Sequence, residues 1–272
     1  MINLMQSTSV PLLAESQTLL AKQQPKIEPV SPALPLERVV TIYLNNKMLT
    51  SLMATPSNVK ELVVGFLYSE SIIDTATDLT KITINQDKKK SQVWVESNAR
   101  EIDQKARIMT SGCGRGFTFL CPSDIEGLTP LNSAIRVNTE EITNLTRRML
   151  GSAALYSRSG GVHAAALCDR NGILSFSEDI GRHNAVDKII GDSLLKNINL
   201  SGKIMLTTGR ISSEMLLKAF RAGIPMLGSL TSPTDLAVEL GEKLGITITG
   251  YIRGNRMKIY THPDRLSFIK NE

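Results

Sequence analysis

Residues Thr110-Ser111-Gly112-Cys113-Gly114-Arg115-Gly116-Phe117 set one cysteine between two glycines, with an arginine two positions on and a third glycine after it. Glycine tolerates positive φ and leaves its N–H group open, so such a loop can turn several donors toward one anion. A thiol in that concavity is biased toward thiolate, the form that attacks sulfur and carries it. A second reading fits the same residues: a tight turn around a small cysteine that behaves as a compact hydrophobe. No strand-like or helix-like apolar period surrounds Cys113, which favours the reactive thiol.

Two strand-to-helix junctions further along suit anions. Leu206–Glu214 and Gly228–Asp235 each follow an apolar run and are rich in Ser and Thr. In open α/β sheets ligands lie beyond the carboxyl ends of strands, where helix N-termini offer free N–H groups. Thr208, Gly209, Arg210, Ser229 and Ser232 are therefore candidate contacts to a phosphate, Arg210 through a bidentate fork. The same hydroxyls also cap helices, and one helix end can do both. Tyr251-Ile252-Arg253-Gly254-Asn255-Arg256 adds a two-arginine turn between strands, whose plainer reading is an exposed hairpin tip.

Glu178-Asp179-Ile180-Gly181-Arg182-His183-Asn184-Ala185-Val186-Asp187-Lys188 is dense in reactive types. His183 and Asp187 share a helix face at i, i+4, a spacing that can serve a metal. No further His or Cys stands near them in sequence, and His163 lies in an apolar run. A structural hydrogen-bond network is the expectation, with no metal. The H-x-E and P-C-x-x-C pattern of zinc deaminases is absent.

These groups need elements to hold them, and 272 residues suffice for one large domain or two smaller ones. Hydrophobic content of 42% and charged content of 21% are ordinary for a soluble globular chain. A net charge of +5 with pI about 9.1 suits a polyanionic small ligand. With only 4% aromatic residues and no long basic block, nucleic acid is not implied. Three irregularly spaced cysteines, Cys113, Cys121 and Cys168, argue against a disulfide framework and for a reducing compartment. Neither a signal peptide nor a membrane span is legible, so the expectation is a cytoplasmic protein.

Residues 1–35, punctuated by Pro25, Pro29, Pro32 and Pro35, read as a loosely ordered lead-in with one short helix over Leu12–Lys22. Residues 36–110 read as a small α+β unit: alternating strands at Val40–Leu44 and Met48–Met53, a helix after a Ser57 cap, and a hairpin of Ile82–Asn85 with Gln92–Val95 around a lysine tip. Residues 111–137 hold the Cys113 loop and a linker. From 138 onward, a helix capped by Asn138 runs to Tyr156. Strands then alternate with helices as far as a final pair at 246–252 and 256–261. That alternation predicts a layered α/β domain over 138–272, with a largely parallel centre and a hairpin at one side.

Taken together, the chain resembles the formate dehydrogenase accessory sulfurtransferase family over residues 36–266. The likeness is carried by Leu62-Val63-Val64-Gly65-Phe66-Leu67-Tyr68-Ser69-Glu70, Ser159-Gly160-Gly161-Val162-His163-Ala164-Ala165, the Glu178–Lys188 stretch, Thr207-Thr208-Gly209-Arg210-Ile211-Ser212, Leu236-Ala237-Val238-Glu239-Leu240 and Tyr260-Thr261-His262-Pro263. The resemblance implies a cytidine-deaminase-like three-layer C-terminal domain without the deaminase zinc, a smaller N-terminal α+β domain, and a homodimer. It implies a sulfurtransferase that takes sulfur from a cysteine desulfurase as a persulfide and places it on molybdenum bis(molybdopterin guanine dinucleotide). The cofactor then passes to apo-formate dehydrogenase. The persulfide position falls on Cys113, beside Arg115, and the cofactor-contacting stretch falls on Tyr251–Arg256. His163 joins the candidate contacts, and GDP is the expected fragment ligand. Many members carry C-x-x-C where this chain has Cys113-Gly114-Arg115-Gly116, which removes a resolving thiol three residues away. The alternative reading is therefore a cofactor-binding chaperone or regulator that performs no sulfur chemistry.

Overall fold

The computed structural model describes residues 34–87, 89–98, 108–109, 117–118 and 127–268. The lead-in, the Leu12–Lys22 helix, Cys113, Arg115 and Cys121 fall outside them. Alternation decides the first strands: Val40, Ile42 and Leu44 of β1 (Arg38–Leu44) point to one face and are buried. Asn45 and Asn46 both adopt positive φ, 47° and 65°, which closes a tight hairpin to β2 (Lys47–Ala54). With β3 (Leu79–Gln86) and β4 (Lys90–Ser97) these strands form a sheet in the order β2-β1-β4-β3. Helix α1 (Val59–Ser69) covers its apolar face through Leu62, Val63, Phe66 and Leu67. Its N-cap is Asn58, in a left-handed conformation at φ 52°, rather than the predicted Ser57. The Asn58 side chain instead donates to Ser177 Oγ at 3.4 Å.

Two short strands, β5 (Ile108–Met109) and β6 (Phe117–Thr118), pair antiparallel. A third, β7 (Val137–Asn138), leads into α2 (Thr139–Ser152). Asn138 closes a capping box there: its side chain accepts from Glu140 N at 2.8 Å, and Glu141 accepts from Asn138 N at 2.7 Å. The predicted single helix to Tyr156 is two. It breaks at Ala153 and resumes as α3 (Ala154–Ser159), which Gly160 ends at φ 63°.

The larger sheet contains β8 (His163–Asp169), β9 (Gly172–Asp179), β10 (Ile204–Thr207), β11 (Met226–Ser229), β12 (Thr247–Arg253) and β13 (Arg256–Ile259). Its order is β13-β12-β11-β10-β8-β9. Strands β10, β11 and β12 run parallel, while antiparallel hairpins close both edges, not one. Helices α4 (Arg182–Leu195), α5 (Ser213–Arg221) and α6 (Asp235–Leu244) pack on one face with Ala165, Leu167, Met205, Leu227 and Ile248. Helix α2 packs on the other with Ala166, Leu206, Met226 and Ile252. Each fully buried Leu or Ile contributes about 1.5–3 kcal/mol. The last strand, β14 (Leu266–Ser267), pairs parallel with β7.

Helices α1 and α4 join the two sheets. Gly65 and Gly191 let their backbones touch: a Cβ on Gly65 would overlap the Asp187 carbonyl oxygen, and one on Gly191 would overlap that of Glu61. The architecture is mixed α/β, as the strand and helix alternation predicts.

Candidate functional site: a cationic cavity beyond three parallel strands

Because β10, β11 and β12 are parallel, their carboxyl ends emerge together. Backbone bonds stitch the loops there into one rim. Leu230 N donates to Thr207 O at 3.2 Å, Ile211 N to Ser232 O at 3.3 Å, Thr234 N to Ile211 O at 2.9 Å and Tyr251 N to Thr231 O at 3.1 Å. Ser229 Oγ donates to Gly209 O at 2.6 Å and accepts from Thr231 N at 2.9 Å. Two glycines permit the close approach. A Cβ on Gly209 would lie 2.8 Å from Arg182 Cβ, and one on Gly250 would lie 2.8 Å from Thr231 O.

Between this rim and the α2–α3 pair lies a cavity of about 480 Å³, lined by Thr143, Thr146, Arg147, Leu150, Tyr156, Thr208, Leu230, Thr231, Ile252, Arg253 and Gly254. That volume is in the range of roughly 300–1,000 Å³ typical of small-molecule sites. Thr143 and Thr146 bond their own helix carbonyls at 3.0 and 2.8 Å. Arg147 Nη1 donates to Asn144 Oδ1 at 2.6 Å. Among the described residues, none of Arg147, Arg210, Arg253 and Arg256 has a carboxylate partner, whereas Arg136, Arg170 and Arg221 do. Of these, Arg147 and Arg253 line the hydroxyl-rich cavity, and guanidinium groups without a carboxylate partner suit an anion such as phosphate.

Of the predicted contacts, Thr208, Ile252, Arg253 and Gly254 line the cavity. Thr208 Oγ1 also accepts from Ala164 N at 3.0 Å and lies 3.4 Å from His163 Nδ1. Burial foremost, and then the Arg182 cation, lowers the His163 pKa and favours the neutral ring. Gly209 and Ser229 support the rim from within, and Ser232 contributes its carbonyl to it. Arg210, Asn255 and Arg256 are exposed, with Arg256 directly opposite Arg253 in the ladder. Tyr251 is exposed at a strand irregularity with φ 50°, and Lys258 Nζ sits 4.7 Å over its ring. The opposite wall was not read from sequence. Thr143, Thr146, Arg147 and Leu150 are spaced three, four and seven apart, the signature of one helix face.

The Glu178–Lys188 stretch is a buried structural network. Lys188 Nζ, with no exposed side-chain surface, pairs with Asp179 Oδ2 at 2.6 Å and donates to Thr55 O at 3.0 Å. Asp187 accepts from Lys218 Nζ at 2.6 Å and from Ser69 Oγ at 2.7 Å. Desolvation raises the Asp187 pKa, and the Lys218 cation opposes it. His183 Nε2 lies 3.1 Å from Glu214 Oε2 without hydrogen-bond alignment. Burial foremost, with the cations of Lys218 and Arg182, drives its pKa down to about 2, so the ring is neutral. Among the described residues, no group of three or more His, Cys, Asp or Glu is placed to hold a metal. No helix among them is long and apolar enough to cross a membrane.

Residues 35–267 match the model of the FdhD/NarQ family. The chain is 36% identical over 248 residues to the sulfur carrier protein FdhD of Bacillus subtilis (strain 168), covering 90% of this chain and 94% of that protein. It is 40% identical over 236 residues to the protein of the same name from Sulfurisphaera tokodaii (strain DSM 16993 / JCM 10545 / NBRC 100140 / 7), covering 85% and 89%. A crystal structure described as that of a formate dehydrogenase accessory protein from Desulfotalea psychrophila superposes with a TM-score of 0.70 at 28% identity, covering 86% of this chain and 90% of that one. Sharing sequence along nearly its whole described length and the fold as well, the chain belongs to the FdhD/NarQ family.

Proposed function

We propose that this protein is a sulfur carrier that serves the maturation of formate dehydrogenase. The near full-length likeness to sulfur carrier proteins carries this reading. The cysteines narrow it. Cys168 is fully buried, and burial pushes its thiol up to about 12, so it supplies no thiolate near neutrality. Cys113 alone has the glycine-flanked, arginine-adjacent setting that favours an anionic sulfur. Its thiolate attacks the outer sulfur of a cysteine desulfurase persulfide. The donor cysteine leaves as thiolate, and Cys113 keeps the persulfide.

The cargo that receives this sulfur is molybdenum bis(molybdopterin guanine dinucleotide), which then passes to apo-formate dehydrogenase. The cavity beyond β10–β12 is the proposed seat of one nucleotide arm of that cargo, a reading its volume of about 480 Å³ supports. Arg147 and Arg253 match its phosphates, the threonine hydroxyls its polar edges, and Leu150, Leu230 and Ile252 its base. The protein works in the cytoplasm as a homodimer.

A second reading, a cofactor-binding chaperone without sulfur transfer, is favoured by one observation. Gly116 stands three residues after Cys113, where the resemblance implies a second cysteine. Intact mass after incubation with a cysteine desulfurase and cysteine separates the two. The sulfur carrier gains a sulfur adduct that Cys113→Ala abolishes and that Cys121→Ala and Cys168→Ala retain. A protein that binds the pterin nucleotide and never gains the adduct is the chaperone.

A further inference from the structure

We propose that Tyr156 is a specificity-determining residue of the cavity, stacking on the base of the bound nucleotide, and that Glu178 is the residue that positions it. The proposal rests on the nucleotide reading of the cavity. Tyr156 supplies the only aromatic ring among the lining residues. The lining divides by chemistry into apolar surface from Tyr156, Leu150, Leu230 and Ile252, and cations from Arg147 and Arg253. A nucleoside diphosphate divides in the same way, into a flat base and an anionic tail. Stacking on a flat ring strengthens binding of any base, because every base has a π-face.

Tyr156 lies in α3, whose six residues are too few to hold a helix without help. Help comes from β9. Glu178 Oε1 accepts from Tyr156 N at 2.6 Å, and Oε2 accepts from Leu155 N at 3.1 Å, which satisfies two N–H groups that the helix start leaves orphaned. Gly160 N donates to Tyr156 O at 2.9 Å, so the tyrosine backbone is held at both of its polar groups. Glu178 is fixed in turn: it pairs with Ala164 in the sheet, and its carbonyl accepts from the buried Lys188 Nζ at 3.3 Å. Among the described residues the Tyr156 hydroxyl makes no hydrogen bond. Through Glu178 the buried Asp179–Lys188 network reaches the cavity wall.

Calorimetry with GDP and with inorganic pyrophosphate, which lacks a base, tests the assignment on the full chain and its variants. Tyr156→Ala and Glu178→Ala are expected to weaken GDP roughly tenfold while leaving pyrophosphate unchanged. Tyr156→Phe keeps the ring and binds as the wild type. Glu178→Gln keeps one acceptor and loses less than Glu178→Ala. Wild-type GDP affinity in Tyr156→Ala overturns the proposal. So does an equal loss of both ligands, which would mark a general structural role. Wild-type protein that binds neither ligand overturns the nucleotide reading itself, and this assignment with it. Thermal melts of each variant identify any that fails to fold, and Tyr156→Phe against Tyr156→Ala decides the question without Glu178.

Discussion

Gly65 of α1 and Gly191 of α4 meet backbone to backbone where the two helices cross. A Cβ on Gly65 would also come within 2.9 Å of Gly191 N, and one on Gly191 within 2.7 Å of Gly65 N. Neither neighbour is a flexible side chain that can swing aside. Gly65→Ala and Gly191→Ala should each force the helices apart and destabilise the protein by about 1–3 kcal/mol or more. A lower urea midpoint with an unchanged slope is the expected reading. A wild-type midpoint in Gly65→Ala would contradict the crossing.

The buried pair Asp179–Lys188 should behave asymmetrically. Asp179 also accepts from Thr55 N at 3.0 Å, Gly181 N at 2.8 Å and Asn184 Nδ2 at 2.9 Å, so it stays solvated by donors if Lys188 goes. Among the described residues, Lys188 without Asp179 keeps as hydrogen-bond acceptors the carbonyls of Thr55 and Glu178. Asp179→Ala should cost roughly 3–5 kcal/mol, by stranding a buried ammonium, and Lys188→Met distinctly less. The double variant should be more stable than the sum of the singles allows. Additive losses in chemical denaturation would show that the two side chains do not interact.

His183 should make stability fall in mild acid. Its folded pKa of about 2 lies far below the ordinary value of 6.5. Between those values the unfolded chain binds a proton that the folded chain refuses, so stability rises with pH. The loss begins as pH falls through the unfolded value and approaches about 1.4 kcal/mol per pH unit below it. His163, also lowered, adds in the same direction. Asp187, whose pKa is raised, contributes with the opposite sign, in the carboxylate range near and above its ordinary 3.8. Melting temperatures from pH 7.5 to 5 should therefore decline, and His183→Gln should decline less steeply. An equal slope in that variant would assign the acid sensitivity elsewhere.

Local chemistry was legible and distant partnership was not. The alternation of Val40, Ile42 and Leu44, the Asn45-Asn46 turn and the Asn138 capping box each depend on neighbours within a few residues. After the break at Ala153, the start of α3 is capped by Glu178, 22 positions beyond Tyr156. The density of the Glu178–Lys188 stretch signalled a network, but Lys188's partner Thr55 is 133 positions away. The α2 wall was legible in principle. Thr143, Thr146 and Arg147 have helical spacing, but polar residues at that spacing ordinarily face water. Only the approach of Ile252 and Arg253 from β12 turns that face into a cavity.

The arginine turn after β12 should govern affinity for anions of every kind, in contrast to the tyrosine wall. Arg253 lines the cavity, and Arg256 stands opposite it in the ladder, both without a carboxylate partner among the described residues. A diphosphate brings its charge to whichever donors are held in place, and a guanidinium fork meets it with paired N–H groups. Arg253→Ala should therefore weaken GDP and pyrophosphate alike, by roughly tenfold or more, the usual loss for one charge-assisted contact. Arg256→Ala, outside the lining, should weaken both by less, through the field it adds. Because the turn is exposed, wild-type affinity should fall as salt rises, and that dependence should flatten in the double variant. Sulfur loading on Cys113 should be unchanged in both single variants, since it needs no nucleotide. Calorimetry across a salt series checks all of this, and wild-type affinity in Arg253→Ala would leave the turn an ordinary hairpin tip.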